Sequence, residues 1–255
     1  MRVLPVVLLL ACPAALLAQG SGKFPPDSLV NTKIIPHSTP VQQVIGTMRN
    51  FTSDLGVRCP FCHVGQEGAP LSQFDFPSDQ KRTKLVARQM MAMVQEINRR
   101  IDTIPARPAS GVEVTCGTCH RGVNRPAPLW QVMVDAVNAG GLDSATRAYR
   151  ALRERYYGRG AYDFGEGSLN TAAFRLARSN RAADALSLLT FNEGLFPGSS
   201  GMAVFRGNIY LMRNDTAAAE AAFLEAIRRD STNGEARGRL RAIGRPPQSS
   251  PAGTR

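Results

Sequence analysis

The sequence predicts an all-α protein in two parts, and three observations predict it. Apolar residues recur at helical spacing along most of the chain. Two strings, Cys59-Pro60-Phe61-Cys62-His63 and Cys116-Gly117-Thr118-Cys119-His120, each follow a helical stretch. Beyond Pro128 an Ala-, Leu- and Arg-rich region repeats with a 34-residue period and holds neither Cys nor His. The expected architecture is a small domain over 38–128 that carries both motifs, then a short tetratricopeptide-like array of helical hairpins over 129–243.

The chain opens on Met1 and Arg2, an apolar run from Val3 to Leu17, and the small or polar residues Ala18, Gln19 and Gly20. Residues 1–19 therefore read as a secretory signal peptide, too short for the ~20 apolar residues of a membrane span. Leu9-Leu10-Ala11-Cys12 also resembles a lipobox, which would make Cys12 a lipidated first residue; the apolar run continuing past it favours ordinary cleavage. Both readings place the protein outside the cytoplasm, in the periplasm.

Residues 20–37, with two adjacent prolines and little periodicity, read as a linker. A helix is expected next, with Thr39 as N-cap and Pro40 at its first position. Val41, Val44, Met48, Phe51 and Leu55 form its apolar stripe, and Gly56 closes it. A second helix is expected from Ser78 and Asp79 to Ile101, burying Val86, Met90, Met93, Ile97 and Ile101. Loops over 64–77 and 102–113 lead away from the first motif and into the second.

In the second half, residues 200–233 carry Gly207, Tyr210, Ala219, Phe223 and Ala226 at tetratricopeptide offsets. Residues 166–199 match them with Ala173, Leu176, Ala185, Leu189 and Pro197, while Asn192 stands where Ala is expected. A looser unit spans 129–157 around Gly140, Glu235 to Ile243 reads as a closing helix, and 244–255 as a disordered tail.

CxxCH is the attachment pattern of c-type haem. Cys59 with Cys62, and Cys116 with Cys119, would form thioethers to two haem c groups. His63 and His120 would be the proximal iron ligands. A zinc site made of the two Cys pairs is disfavoured by the 53 residues between Cys62 and Cys116, well beyond the usual gap. Two disulfides are the remaining alternative for an exported chain. The only other histidine is His37, so at least one six-coordinate iron would need another distal ligand. Met48 on the first helix and Met90, Met91 and Met93 on the second are the candidates, since His/Met ligation is a standard c-type arrangement.

The net charge is +11, with Arg residues scattered and no basic run interleaved with aromatics, which speaks against nucleic acid as a partner. Haem propionates would lower the charge further. Peripheral contact with a membrane stays open.

The stretch from Met48 to Gly122 resembles half of the tetrahaem cytochrome subunit of photosynthetic reaction centres. The shared pieces are Met48 eleven residues before Cys59, Leu55-Gly56-Val57, Phe61-Cys62-His63, Val86-Ala87-Arg88-Gln89-Met90, Ile97-Asn98 and Val114 to Gly122. The resemblance implies Met48 as sixth ligand to the first iron and Met90 to the second, with Met93 in reserve and His37 as the family's His alternative. Two haem sites stand here where that family has four, and the second half is an addition. The expected function is an exported dihaem c-type cytochrome that carries single electrons between redox partners, among them a membrane electron-transfer complex, and docks through its repeats. The alternatives are a dihaem peroxidase-like enzyme, for which no placed Glu/His pair is found, and a redox-sensing scaffold.

Overall fold

A computed structural model describes residues 23–105 and 111–245. The expected signal peptide with Cys12 and the tail beyond 245 lie outside the described residues. Nine helices run through these: α1 (Val41–Leu55), α2 (Arg82–Asp102), α3 (Cys116–His120), α4 (Leu129–Tyr156), α5 (Glu166–Arg178), α6 (Ala182–Leu195), α7 (Ser200–Met212), α8 (Thr216–Arg229) and α9 (Gly234–Ala242). Among the described residues no strand forms, and a single bridge joins Val64 to Asp75. The chain divides into two compact units, Met1–Asn124 and Arg125–Arg255.

In the first unit α1 ends as its sequence demands: Gly56 adopts φ 64° and ψ 32°, the left-handed cap that glycine takes without strain. Its start differs from expectation. Pro40, extended at φ −57° and ψ 136°, is itself the cap residue, and Thr39 makes no cap bond. The Thr39 N–H instead donates to the Pro36 carbonyl at 3.0 Å, closing the preceding turn. The second helix starts at Arg82, later than Ser78 or Asp79. The reason is the carboxylate of Asp79, which is held by Lys84 at 3.1 Å and Arg88 at 2.9 Å rather than by helix N–H groups. Ser78 Oγ accepts from the Gln80 N–H at 3.3 Å, a local turn ahead of the helix.

A larger correction concerns the face of α2. Val86, Met90 and Met93 were expected inside; they are 48, 37 and 47 % exposed, and no α2 side chain is fully buried. Among the described residues of the first unit only Val44, Phe74 and Val123 are buried apolar side chains. A unit of 97 described residues with that little core is far from self-sufficient.

The second unit is the opposite case. One core gathers Leu129, Met133, Val137, Tyr149, Leu169, Leu176, Leu188 and Leu189, and another gathers Val204, Phe223, Ala226 and Leu240. Helix starts fall at 166, 200 and 234, and at 182 and 216, so the 34-residue spacing is physical. α4 is broken at Gly140 and Gly141, the latter at φ 68°, which makes it a hairpin of two helices. Equivalent positions exchange volume between repeats. A Cβ on Gly207 would meet the Phe223 ring at 2.4 Å, and the pair 34 residues earlier is Ala173 with Leu189.

Asn192, in the place expected for Ala, is completely buried. Its Nδ2 donates to the Asn170 Oδ1 at 2.9 Å and the Glu166 carbonyl at 3.0 Å, while its own Oδ1 has no partner. The next repeat carries Val204 and Ala226 at these two positions. Asn192→Ala alone is expected to cost about 2 kcal/mol, because it strands the Asn170 acceptor. The pair Asn170→Val with Asn192→Ala should recover at least half of that loss in urea unfolding.

Candidate functional site: two CxxCH motifs clasped by α1 and α2

The first motif is a tight 3-10 turn over Cys59–Phe61, with Pro60 inside it. The N–H groups of Cys62 and His63 both donate to the Cys59 carbonyl, at 3.2 and 3.0 Å. The second motif is α3 itself. Thr115 and Thr118 form a reciprocal capping box at its start, and Arg121 ends it in the left-handed conformation at φ 49°. Local sequence thus brings both thiols and the imidazole of each motif onto one turn.

Two helices clasp these turns. α1 runs straight into the first motif, but its C-terminal end packs on the second. The Gly122 N–H donates to the Asp54 carbonyl at 2.7 Å, and a Cβ on Gly117 would meet the Asp54 carboxylate at 2.8 Å. Gly117 therefore occupies a variable position of its motif for a steric reason. A Cβ on Gly56 would lie 2.0 Å from the Gly122 carbonyl oxygen, so these two glycines mark where the motifs approach each other.

α2 joins the motifs by polar bonds at its two ends. Near its start the Thr83 hydroxyl donates to the Phe61 carbonyl. Near its end Asn98 makes a two-way bond with the Val114 backbone: Nδ2 donates to the carbonyl at 2.9 Å and Oδ1 accepts from the N–H at 2.8 Å. The exposed residues Val86, Met90 and Met93 lie between these clamps. Lys84 pins the loop ahead of α2 by donating to the carbonyls of Phe76, Pro77 and Ser78 at 2.8–2.9 Å. That loop sets the Phe76 ring edge-on to His63, with centroids 5.0 Å apart, and Phe74 fills the space beside Gly65.

The two histidines are prepared differently. His120 Nδ1 lies 2.9 Å from the Val123 carbonyl. A carbonyl only accepts, so Nδ1 carries the proton and Nε2 keeps its lone pair for a metal. His63 is half-buried, and burial, then the nearby Lys84 charge, hold its pKa below the usual histidine value; the Phe76 carbonyl opposes them, and the Arg88 charge adds to the lowering. The neutral ring that results is the ligating form. His63 Nδ1 is buried without a hydrogen-bond partner. Burial raises the thiol pKa of Cys62 against the hydrogen bond of Thr83, and burial followed by the Asp54 charge raises that of Cys116.

Cys59, Cys62, Cys116 and Cys119 are all unbridged thiols. Among the described residues no three His, Cys, Asp or Glu side chains converge on a metal position. Met48 is half-buried on α1. His37 is exposed, its Nδ1 3.2 Å from the Thr32 hydroxyl. These residues fit covalent haem on physical grounds: paired free thiols, an imidazole beside each, and an apolar methionine-bearing face of α2 that the described residues leave about half exposed.

Residues 41–155 match the family model of the photosynthetic reaction centre cytochrome C subunit. The match spans both motifs, α1 to α3 and nearly all of α4. The chain is similar to the photosynthetic reaction center cytochrome c subunit of Rubrivivax gelatinosus, 27% identical over 142 residues, which are 53% of this chain and 35% of that protein. It is also similar to the protein of the same name in Roseobacter denitrificans, 33% identical over 97 residues, 38% of this chain and 23% of that one. The chain thus spans about a third and about a quarter of these curated relatives. No solved structure matches it. Among the described residues no helix is long and apolar enough to cross a membrane.

Residues that the motifs do not name complete the site: Asp54, Thr83, Lys84 and Asn98. Asn98 carries a faint signal as part of the Ile97-Asn98 string. The other three act through backbone contacts that no sequence pattern encodes.

Proposed function

We propose that the protein is an exported dihaem c-type cytochrome that carries single electrons between redox partners. The observation that carries the proposal is the half-exposed apolar face of α2, held by polar clamps between two CxxCH turns. Haem c, when bound, supplies an iron centre that exchanges one electron without bond rearrangement. The chain's own residues do the rest. Cys59 and Cys62 would fix one group through thioethers and Cys116 and Cys119 the other, each beside the histidine that follows its motif. His63 and His120 would ligate iron. Met48 and Met90 would be the distal ligands, with Met93 and His37 held as substitutes. Val86 and Met93 would shield apolar porphyrin surface from water, and so would raise the potential together with a thioether ligand.

The similarity to reaction centre cytochrome subunits supports electron carriage, with redox partner proteins that include a membrane complex. The 34-residue hairpins support a tetratricopeptide-like docking array, since stacked hairpins offer a continuous surface to a partner segment. Export to the periplasm rests on the leader sequence.

Met48→His and Met90→His test the ligands. Each should lower the midpoint potential of one haem in a redox titration and leave the other where it was. A titration unchanged by either substitution removes that methionine from the ligand set. Deleting residues 129–255 tests the docking array: both haems should be retained while binding to the redox partner is lost.

A further inference from the structure

The second unit carries a groove of about 440 Å³ between the later half of α4 and α6, lined by Tyr149, Tyr157, Phe191 and Leu195 and, on its polar side, by Arg150, Arg153 and Glu154. Its charged rim is two arginines, Arg150 and Arg153, against one carboxylate, Glu154. Arg147, Arg155 and Arg159 stand close by in sequence; all five arginines are exposed, and none has an ion pair with a carboxylate among the described residues. Where α6, α7 and α8 pack, by contrast, arginines are paired: Arg206 and Arg229 both reach Glu193, and Arg228 and Arg229 both reach Glu225.

Arg153 on the rim and its neighbour Arg155 are pre-oriented. The Arg153 guanidinium lies 4.9 Å from the Tyr157 ring centroid and that of Arg155 5.2 Å from Tyr156. Stacking uses the flat face of a guanidinium and leaves its N–H edge free for a bidentate carboxylate. Tyr157 itself is 65 % exposed, an unusual place for a large aromatic side chain.

We infer that this face docks an acidic protein segment, one apolar side chain seated in the groove and flanking carboxylates on the α4 arginines. The inference rests on the docking role proposed above and gives its partner a chemistry. Charge complementarity selects the occupant. Residues 1–22, 106–110 and 246–255 contain no Asp or Glu, so those segments of the chain cannot supply the carboxylates. A second copy is disfavoured by like charge, since residues 125–245 hold 17 arginines against 12 acidic residues. An anionic membrane would meet the arginines, but it has no use for a concave apolar groove; a peripheral membrane site presents a convex apolar face instead.

The test uses the haem-loaded full chain and a fluorescent heptapeptide of six glutamates around one phenylalanine, read by anisotropy. Binding should weaken with salt. Arg150→Glu with Arg153→Glu should weaken it about tenfold. Arg213→Glu with Arg241→Glu, the same charge change at other exposed arginines, should alter it less than about twofold, because screening removes distant charges. Tyr157→Ala should weaken binding without reversing any charge, and serves if the double variant unfolds. Replacing the phenylalanine by glycine should also weaken it. Equal losses from the two arginine pairs, or indifference to the phenylalanine, overturn the inference. So does binding to phosphatidylglycerol vesicles that depends on Arg150 and Arg153 when the peptide does not bind; the strip would then face a membrane. If the 129–255 deletion abolishes partner binding yet the Arg150/Arg153 variant binds peptide normally, only this inference falls. If the deletion leaves partner binding intact, the docking reading falls with it.

Discussion

Replacing Cys59 and Cys62 by serine is expected to halve the haem content of the exported protein and to unfold much of the first unit. With Val44, Phe74 and Val123 as the only buried apolar side chains among its described residues, this unit has no core with which to absorb the loss. Its melting transition should drop by about 10 °C or more, since a domain of this size shifts about 4–8 °C per kcal/mol. The second unit, with its own core, should melt unchanged. Haem per chain by absorbance and two-transition calorimetry check both parts. A variant that keeps two haems, or a first unit that melts as before, would separate the cysteines from the fold.

Gly56→Ala is the second large effect. The added methyl would sit 2.0 Å from the Gly122 carbonyl oxygen, a backbone atom that cannot swing aside, and φ 64° already disfavours any L side chain. The backbone conformation alone costs about 1 kcal/mol, and the clash forces α1 off the second motif. The total should reach about 3 kcal/mol, among the larger losses of a single substitution. Because Gly56 precedes the first motif and strikes the second, both haem sites should be perturbed in visible circular dichroism. Gly46→Ala is the control: nothing lies within 4 Å of its added Cβ, and φ there is ordinary, so it should be neutral or slightly stabilising.

Much of this layout is legible in the chain. Gly56 declares the end of α1, and the 34-residue spacing declares helices that start at 166, 200 and 234. These signals are local: a left-handed cap and a repeated hairpin need no knowledge of distant residues. What stayed hidden depends on contacts far apart in sequence. Asp79 looks like a helix cap, yet Lys84 and Arg88 compete for its carboxylate and win, which moves the start of α2 to Arg82. Arg88 is further tied to the Asn31 carbonyl, 57 residues away. The docking of α1 on the second motif follows from contacts of Gly117 and Gly122 with Asp54 and Gly56, more than 60 residues earlier, which the Val114 to Gly122 string does not announce. Periodicity marked Val86, Met90 and Met93 as one apolar face but could not say what covers it. The described residues leave it about half exposed. Asn192 is the reverse case, a polar residue in a core position, explained by Asn170 and Glu166.

The account stands on the two motifs each carrying haem, and one measurement tests that most directly. The protein, exported by a host able to attach c-type haem, is reduced, its visible spectrum is recorded, and its intact mass is determined. Two covalent haems per chain, with a sharp c-type α band that survives acid extraction of loose haem, are the predicted result. A colourless protein with zinc on its cysteines, or a mass showing disulfides in place of haem, would contradict it.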